Sequence, residues 1–432
     1  MPELKLADLV AAVQPERLLP VLAPFFEGAA EAPVLDATRL EPPQYYWAVY
    51  KSGDRHVTLK AFFAAADYAQ YTEKLLEYYP NRVDHPEHPR GGFVLLPEWN
   101  SIVWGFPFDP AMPELYRCVD GAWVAKVLRR SSPEPLQVRT LRYNPELGAL
   151  LAYRVRRGRQ SRLIAIGKVE PRATSGRIFL VMNRLWVVAE QSRGQLRVAR
   201  PLAFRPEAGL LVQAAVPGKP LRTDRNRTIF LDLVQQAGPA LATLHAADIP
   251  FGPQRSIRNL VTRLKNGLPD LALTSPPLHG ALSLLVRQIE AREAGTQPGL
   301  PVPSHGDFKY DQFLEFRRRY SFIDFETFCL AEPAYDVGFF CAYLPPTSPS
   351  DWRESAAAEM LRSAFLHSYA TASGAPLDLA RIGVHEAATL GIRALAHAWR
   401  FESGWQSRAS QLFALAMERL VNPEPASLSF TD

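Results

Sequence analysis

The chain has 432 residues, of which 47% are apolar and 22% charged. That length holds two or three domains with cores of their own, and that balance excludes a disordered polypeptide. The formal charge of +5 suits an anionic ligand such as a nucleotide and is too small to argue for nucleic acid. Cys118, Cys329 and Cys341 show no metal-ligand spacing and read as reduced thiols. No apolar run approaches the ~20 residues that span a bilayer, and the N-terminus lacks a signal-peptide core. A cytoplasmic protein with no membrane partner is expected.

Residues 4–26 have the period of an amphipathic helix, and residues 28–43, rich in Ala, Pro and Glu, read as a linker. Strands over 46–50 and 56–60 flank the turn Ser52-Gly53-Asp54. A helix over 65–79 and strands over 93–96 and 102–106 follow, before a Pro-rich, acidic interruption at 107–114. The succession then recurs. Strands are expected over 138–143, 150–155 and 162–169, a helix over 176–191, and strands over 197–202 and 210–213. Hairpin, strand with a lysine, helix and two strands are thus seen twice, as in a degenerate repeat or a chance likeness of two β-rich units. From Ile229 the chain reads as helical, over 229–246, 257–264, 278–294, 352–373, 377–400 and 404–420. The basic clusters Arg154–Arg157 and Arg317–Arg319 read as turns between strands.

The stretch Ser304-His305-Gly306-Asp307-Phe308-Lys309-Tyr310-Asp311-Gln312-Phe313-Leu314 interrupts these helices, followed by Ser321-Phe322-Ile323-Asp324-Phe325-Glu326. A β-hairpin that runs out along 313–316, turns at 317–319 and returns along 320–323 would bring Asp324 back beside Asp307 and Gln312. Phosphoryl transfer needs a carboxylate to orient the attacking hydroxyl and oxygen ligands to hold magnesium. Asp307 suits the first task; Gln312 and Asp324 suit the second.

This arrangement resembles the aminoglycoside phosphotransferase and choline kinase group of small-molecule kinases. Their catalytic loop reads His-Gly-Asp, four residues, then Asn, and their metal strand reads Ile-Asp before Gly-Asp-Pro, two residues, Asp-Leu. The matching stretch here is Ala331-Glu332-Pro333-Ala334-Tyr335-Asp336-Val337, with Ala331 and Glu332 standing where the family has Gly-Asp. The resemblance implies an α+β, protein-kinase-like fold of two lobes, a small β-rich N-lobe and a large helical C-lobe, with an N-terminal β-rich accessory domain. The boundaries expected are 1–131, 132–222 and 223–432. That accessory domain resembles the cap of bacterial maltose and glucosamine kinases.

Residue by residue, the resemblance implies Asp307 as catalytic base and Gln312 and Asp324 as ligands of Mg2+. His305 and Asp336 would brace the loop, and Glu326 would be a supporting metal or substrate residue or a solvated acid. Lys168 would hold the phosphates of ATP or GTP, with Glu190 or Glu170 as its partner, and Gln213 and Ala215 would meet the base. Neither unit has a Gly-x-Gly-x-x-Gly loop, which leaves residues 144–148 to cover the phosphates. Lys60 has Glu73 and Glu77 at a comparable spacing but reads more simply as a surface lysine. His245 reads as packing. Arg393, His397, Trp399, Arg400, Glu402 and Trp405 would form a polar-aromatic wall for a small hydroxylated acceptor such as a sugar, amino sugar or aminoglycoside. A nucleotide-binding pseudokinase is the alternative.

Overall fold

The structure, a computed structural model, describes residues 15–29, 31–41, 44–78, 92–130, 136–158, 160–171, 175–221, 227–344, 355–400 and 403–423. Residues 4–14 of the expected first helix and 352–354 of the expected helix 352–373 lie outside them. The chain forms two compact units, Met1–Gly176 with Leu202–Ala215, and Arg177–Pro201 with Val216–Asp432.

The first unit opens with α1 (Pro15–Phe26), β1 (Val34–Glu41), β2 (Tyr45–Ser52), β3 (Arg55–Phe62), α2 (Ala65–Tyr78), β4 (Phe93–Leu96) and β5 (Ser101–Gly105). The strands make an antiparallel sheet in the order β1-β2-β3-β5-β4. The segment expected as a linker is therefore largely an edge strand. Its side chains from Val34 to Thr38 are exposed, so it carries no alternation to betray it, and a bulge at Leu35/Ala37 blunts the edge. Beyond the interruption lie two short helices that the sequence did not announce, α3 (Leu115–Cys118) and α4 (Gly121–Val127). The Asp120 carboxylate caps α4 by accepting from the Ala122 amide at 2.8 Å.

The second sheet has β6 (Gln137–Asn144), β7 (Gly148–Arg157), β8 (Gln160–Val169), β9 (Pro201–Arg205) and β10 (Leu210–Ala214), in the order β6-β7-β8-β10-β9. Met112, Leu115, Cys118 and Val124 share its core with Leu151, Tyr153, Ala165 and Val212. The helix α5 (Ser175–Gln191) follows β8, as α2 follows β3. Of the expected strand 197–202, the ladder takes up 201–205 instead, and Val198 makes an isolated bridge to Phe322. Arg154–Arg157 end β7 rather than forming a turn.

The two sheets repeat one plan. In each the fourth and fifth strands are exchanged, and a 3-10 turn joins them, Pro97–Trp99 in one and Pro206–Ala208 in the other. Each turn closes on a left-handed residue, Asn100 (φ 46°) or Gly209 (φ 59°). The lysines stand in matching register: Lys60 faces Ile102, the second residue of β5, and Lys168 faces Leu211, the second residue of β10.

The second unit adds β11 (Lys219–Pro220), α6 (Arg227–His245), α7 (Ile257–Asn266), α8 (Leu268–Thr274), α9 (Pro276–Ala294), β12 (Val302–Ser304), β13 (Phe313–Phe316), β14 (Arg319–Phe322), β15 (Cys329–Ala331), α10 (Pro333–Tyr343), α11 (Ser355–Ser373), α12 (Leu379–Arg400) and α13 (Trp405–Val421). Of these helices α8 and α10 fall outside the helical spans expected from the sequence. Leu264, Leu282, Leu285, Ile289, Leu390 and Leu395 are fully buried at the centre of its core, each contributing about 2 kcal/mol or more by removal from water. Arg317 and Arg318, both left-handed (φ 51° and 60°), make the two-residue turn that matches strand twist between β13 and β14. Sheets in the first unit and helices in the second give the α+β, protein-kinase-like division expected.

Candidate active site

The loop His305-Gly306-Asp307 leaves the end of β12, which is locked to β15 by the pairing of Ser304 with Cys329. Gly306 is left-handed (φ 83°), and a Cβ there would lie 2.2 Å from the Thr327 carbonyl oxygen; no other residue fits so close a crossing. Phe308 then plugs the loop into the core, its ring 5.0 Å from those of Phe322 and Phe340. A 3-10 turn, Tyr310–Gln312, starts the hairpin. The hairpin returns so that the Ile323 amide donates to the Gln312 carbonyl at 3.0 Å.

His305, fully buried, ties the two halves together. Its Nε2 meets the Ile323 carbonyl at 3.0 Å and its Nδ1 meets the Asp307 amide at 3.4 Å. A carbonyl only accepts, so Nε2 carries the proton and Nδ1 accepts. One ring thereby spaces the backbone of Asp307 against the residue before Asp324. Below it, the buried Asp336 carboxylate accepts from the His305 amide (2.6 Å) and the Gly306 amide (2.9 Å). Burial alone would raise its pKa, but His245, His305 and the Gly306 amide hold it below the usual carboxylate range. His245, expected only to pack, reaches Asp336 at 3.5 Å and the Tyr369 hydroxyl at 2.8 Å.

The Asp307 carboxylate is half-buried. Its Oδ2 accepts from Gln312 Nε2 at 2.7 Å and from Lys309 Nζ at 3.0 Å. A carboxylate can only accept, so the Gln312 amide presents its nitrogen to Asp307 and keeps Oε1 for another partner. Burial works against the Lys309 ammonium, yet Asp307 and Asp311 more than offset it and raise its pKa. Burial raises the pKa of Asp311, Lys309 opposes that, and the charges of Asp307 and Asp324 add to it. Asp324 itself is left-handed (φ 70°, ψ 57°), a conformation that costs a non-glycine residue about 1 kcal/mol. Glu326 lies half-buried in the 3-10 turn that follows.

Carboxylate and amide oxygens, the donor types this loop carries, are the kind a hard cation takes. Magnesium takes one or two carboxylates and completes its shell with phosphate and water oxygens. Among the described residues no group of three or more His, Cys, Asp or Glu side chains is placed to hold a metal ion.

The other expected residues belong to the first unit. Lys168 is half-buried between Leu150 and Leu211, and Gln213 is buried opposite Ile166. The Ala215 amide donates to the Ile164 carbonyl at 3.0 Å, which removes it from the donors open to a nucleotide base. Lys60 is not the surface lysine expected; it is 4% exposed.

The polar-aromatic wall does not form one surface. Trp405 is part of the helical core. Trp399 lies at the outside and donates to Asp270 on α8 at 2.8 Å. The side chains of Arg400 and Glu402 lie outside the description. Arg393 does approach the loop: it is buried, bonds the Ala342 carbonyl and sits 4.8 Å from the Tyr343 ring, which Lys309 also faces at 5.3 Å.

Sequence reasoning passed over Lys309 and Asp311. Their signal was positional: a loop pinned at 305–307 and again at 312 must hold the residues between beside the pinned groups. Glu332 stands at the N-cap position of α10, but its carboxylate makes no capping hydrogen bond to the helix. It accepts from Arg381, from His385 at 2.8 Å and from the Gly299 amide at 3.0 Å. Burial opposes its charge, but His385 and Arg381 hold its pKa down at about 2.

A family model described as the phosphotransferase enzyme family matches residues 125–376. The chain belongs to this family. It is accordingly an enzyme of phosphate transfer, and the match takes in the second sheet and the whole loop-hairpin constellation. Among solved structures, similarity extends to a putative aminoglycoside phosphotransferase from Ralstonia eutropha, at 16% identity and TM-score 0.48 over 71% of this chain and 98% of that one. A choline/ethanolamine kinase family protein from Mesorhizobium loti matches at 14% identity and TM-score 0.43 over 68% and 90%. Choline kinase from Cryptosporidium parvum matches at 12% and 0.46 over 70% and 92%. No curated protein matches the chain. Among the described residues, no helix is long and apolar enough to cross a membrane.

Proposed function

We propose that this phosphotransferase is a small-molecule kinase that moves the γ-phosphate of ATP or GTP to a hydroxyl of a sugar, amino sugar or aminoglycoside-like acceptor. In this reading residues 1–131 are an accessory domain, 132–222 the nucleotide lobe and hinge, and 223–432 the catalytic lobe. The observation that carries it is the His305 bridge, which fixes Asp307 and the approach to Asp324 as one object.

Gln312 and Lys309 both engage Oδ2 of Asp307, and among the described residues Oδ1 accepts no hydrogen bond. Oδ1 would orient the acceptor hydroxyl and take its proton as the new O–P bond forms and the bond to the leaving nucleoside diphosphate breaks. Lys309, 3.0 Å from the same carboxylate, would offer positive charge to the phosphoryl group in transit. Gln312 Oε1 and Asp324 would hold Mg2+, which when bound neutralises phosphate charge and fixes its geometry. Lys168 would hold the phosphates under the turn 144–148, and the end of β10 at Gln213, with Ala215 just beyond it through groups other than its amide, would meet the base.

The test is a phosphorylation screen over sugars, amino sugars and aminoglycosides with Mg2+ and either nucleotide. Acceptor-dependent release of nucleoside diphosphate is expected from the wild type, with Asp307→Ala slower by roughly 1,000-fold. If no hydroxyl compound lifts the wild type above Asp307→Ala, the kinase reading fails. Asp324→Asn should weaken magnesium-nucleotide binding, whereas Asp307→Asn should mainly lower turnover. Unchanged magnesium-nucleotide affinity in Asp324→Asn would remove that residue from the metal site.

A further inference from the structure

Lys60 occupies in the first sheet the register position that Lys168 holds in the second. Its ammonium lies 4.0 Å from the ring centroid of Tyr45 and 4.3 Å from that of Tyr71. Such a cation, ringed by aromatic faces and withdrawn from water, requires an anion beside it. The anion is the carboxylate of Glu146, 2.6 Å away and 86 positions along the chain. Tyr71, on α2, hydrogen-bonds the other carboxylate oxygen. Burial and the Glu146 charge push the Tyr71 phenol well above its ordinary range, which keeps it a donor.

Glu146 stands in the turn between β6 and β7 and is left-handed there (φ 60°). Its own amide donates to the buried Asp109 carboxylate at 2.9 Å. Asp109 also accepts from the Tyr143 hydroxyl at 2.8 Å, and that hydroxyl accepts from Trp104 Nε1 of β5 at 2.9 Å. The turn is thus fixed at its backbone by the segment joining the sheets and at its side chain by β3 and α2.

We propose that the first sheet is a second copy of the nucleotide-binding sheet whose lysine has exchanged a phosphate for a protein carboxylate, and that the Lys60–Glu146–Tyr71 clamp shapes the β6–β7 turn as the nucleotide's cover. The inference rests on the kinase reading, in which residues 144–148 lie over the phosphates. Two physical needs support it. The turn lacks the glycine pattern that lets a backbone approach phosphate unaided, so an outside clamp supplies its shape. An acid in a phosphate cover would also repel the nucleotide, and Lys60 neutralises that charge and draws it back. Lys60 and Tyr71 are positioning residues, acting on the nucleotide through Glu146.

The experiment compares the full-length wild type with Lys60→Met, Glu146→Gln and Lys60→Arg. It reads hydrogen exchange of the 144–148 amides and affinity for magnesium with a non-hydrolysable ATP analogue. Lys60→Met should speed exchange in the turn and weaken nucleotide affinity about 10-fold, the loss expected for one charge-assisted bond, with the KM for acceptor unchanged. Glu146→Gln should speed exchange as well and weaken binding less, since it also removes the repelling charge. Lys60→Arg should restore much of both. Glu146 is part-exposed and its amide variant is isosteric, so it decides the matter if Lys60→Met does not fold. Wild-type exchange and affinity in both Lys60→Met and Glu146→Gln would overturn the clamp alone. A wild type that binds no nucleotide would overturn the kinase reading and the covering role, while exchange would still show whether Lys60 holds the turn.

Discussion

The two five-stranded sheets share strand order, the 3-10 turn, the left-handed residue before the last inner strand and the register of a lysine. They differ in what surrounds that lysine. Lys60 is sealed among Tyr45, Tyr71 and Glu146, whereas Lys168 is half-buried. Backbone sterics and ladder hydrogen bonds set the shared features, and few side-chain identities are needed to keep them. The lysine's partner depends on residues from elsewhere in the chain, and one carboxylate is enough to change it. The plan of a sheet can therefore recur while the surroundings of its lysine differ.

The contrast breaks most sharply at the lysines. If Lys168 holds the nucleotide's phosphates as proposed, Lys168→Met should lower turnover by on the order of 100-fold, as the loss of one preorganised cation at a developing charge would. A steady-state assay with saturating acceptor checks it. A fall no larger than that of Lys60→Met would mean that the sheets have not diverged in function.

The next effect lies at the joint between the sheets. Burial raises the Asp109 pKa to about 6, only partly offset by hydrogen bonds from the Glu146 amide and Tyr143. The folded state then holds a proton that the unfolded chain has lost between about pH 4 and pH 6. Stability from this group is greatest below about pH 4 and falls as pH rises through 6, by about 3 kcal/mol. Denaturant unfolding of wild type and Asp109→Asn across that range should show the difference changing by this amount; a flat difference would refute it. Glu332 in the second unit runs the opposite way. With its pKa held at about 2, its contribution is present above about pH 4.5 and is lost as pH falls toward 2.

Smaller effects separate the two left-handed positions. A Cβ on Gly209 would lie 2.0 Å from the Glu170 carbonyl oxygen, so Gly209→Ala should cost about 2 kcal/mol or more, seen as a lower melting temperature. Asn100 already carries a side chain in the same conformation, and Asn100→Gly should stay within about 0.5 kcal/mol of wild type. Equal losses at both would mean that the turns are not equivalent.

Much of this was legible. Strand-like residues around Ser52-Gly53-Asp54, and again over 138–169, announced both hairpins, and the spacing of Asp307, Gln312 and Asp324 announced the hairpin that joins them. The strand β1 was hidden because an edge strand exposed on both faces has no period to read. The helix α8 was hidden by its brevity and by Pro269. The Lys60–Glu146 pair was out of reach for a different reason. Helical acids three or four residues apart can be read from spacing, but a partner 86 positions away is fixed only by how one sheet packs beside the next. Glu332 looked like a departure from a motif; its meaning lay with Arg381 and His385 on another helix.

The left-handed backbone at Asp324 has a consequence for how this protein can change. Glycine would relax that position, and a chain selected for thermal endurance alone would drift toward it. If Asp324 holds the metal as proposed, the fold accepts a strained backbone there in order to keep an oxygen atom aimed. On that proposed role, variants that gain heat tolerance at residue 324 should be expected to lose their catalytic competence in the same step.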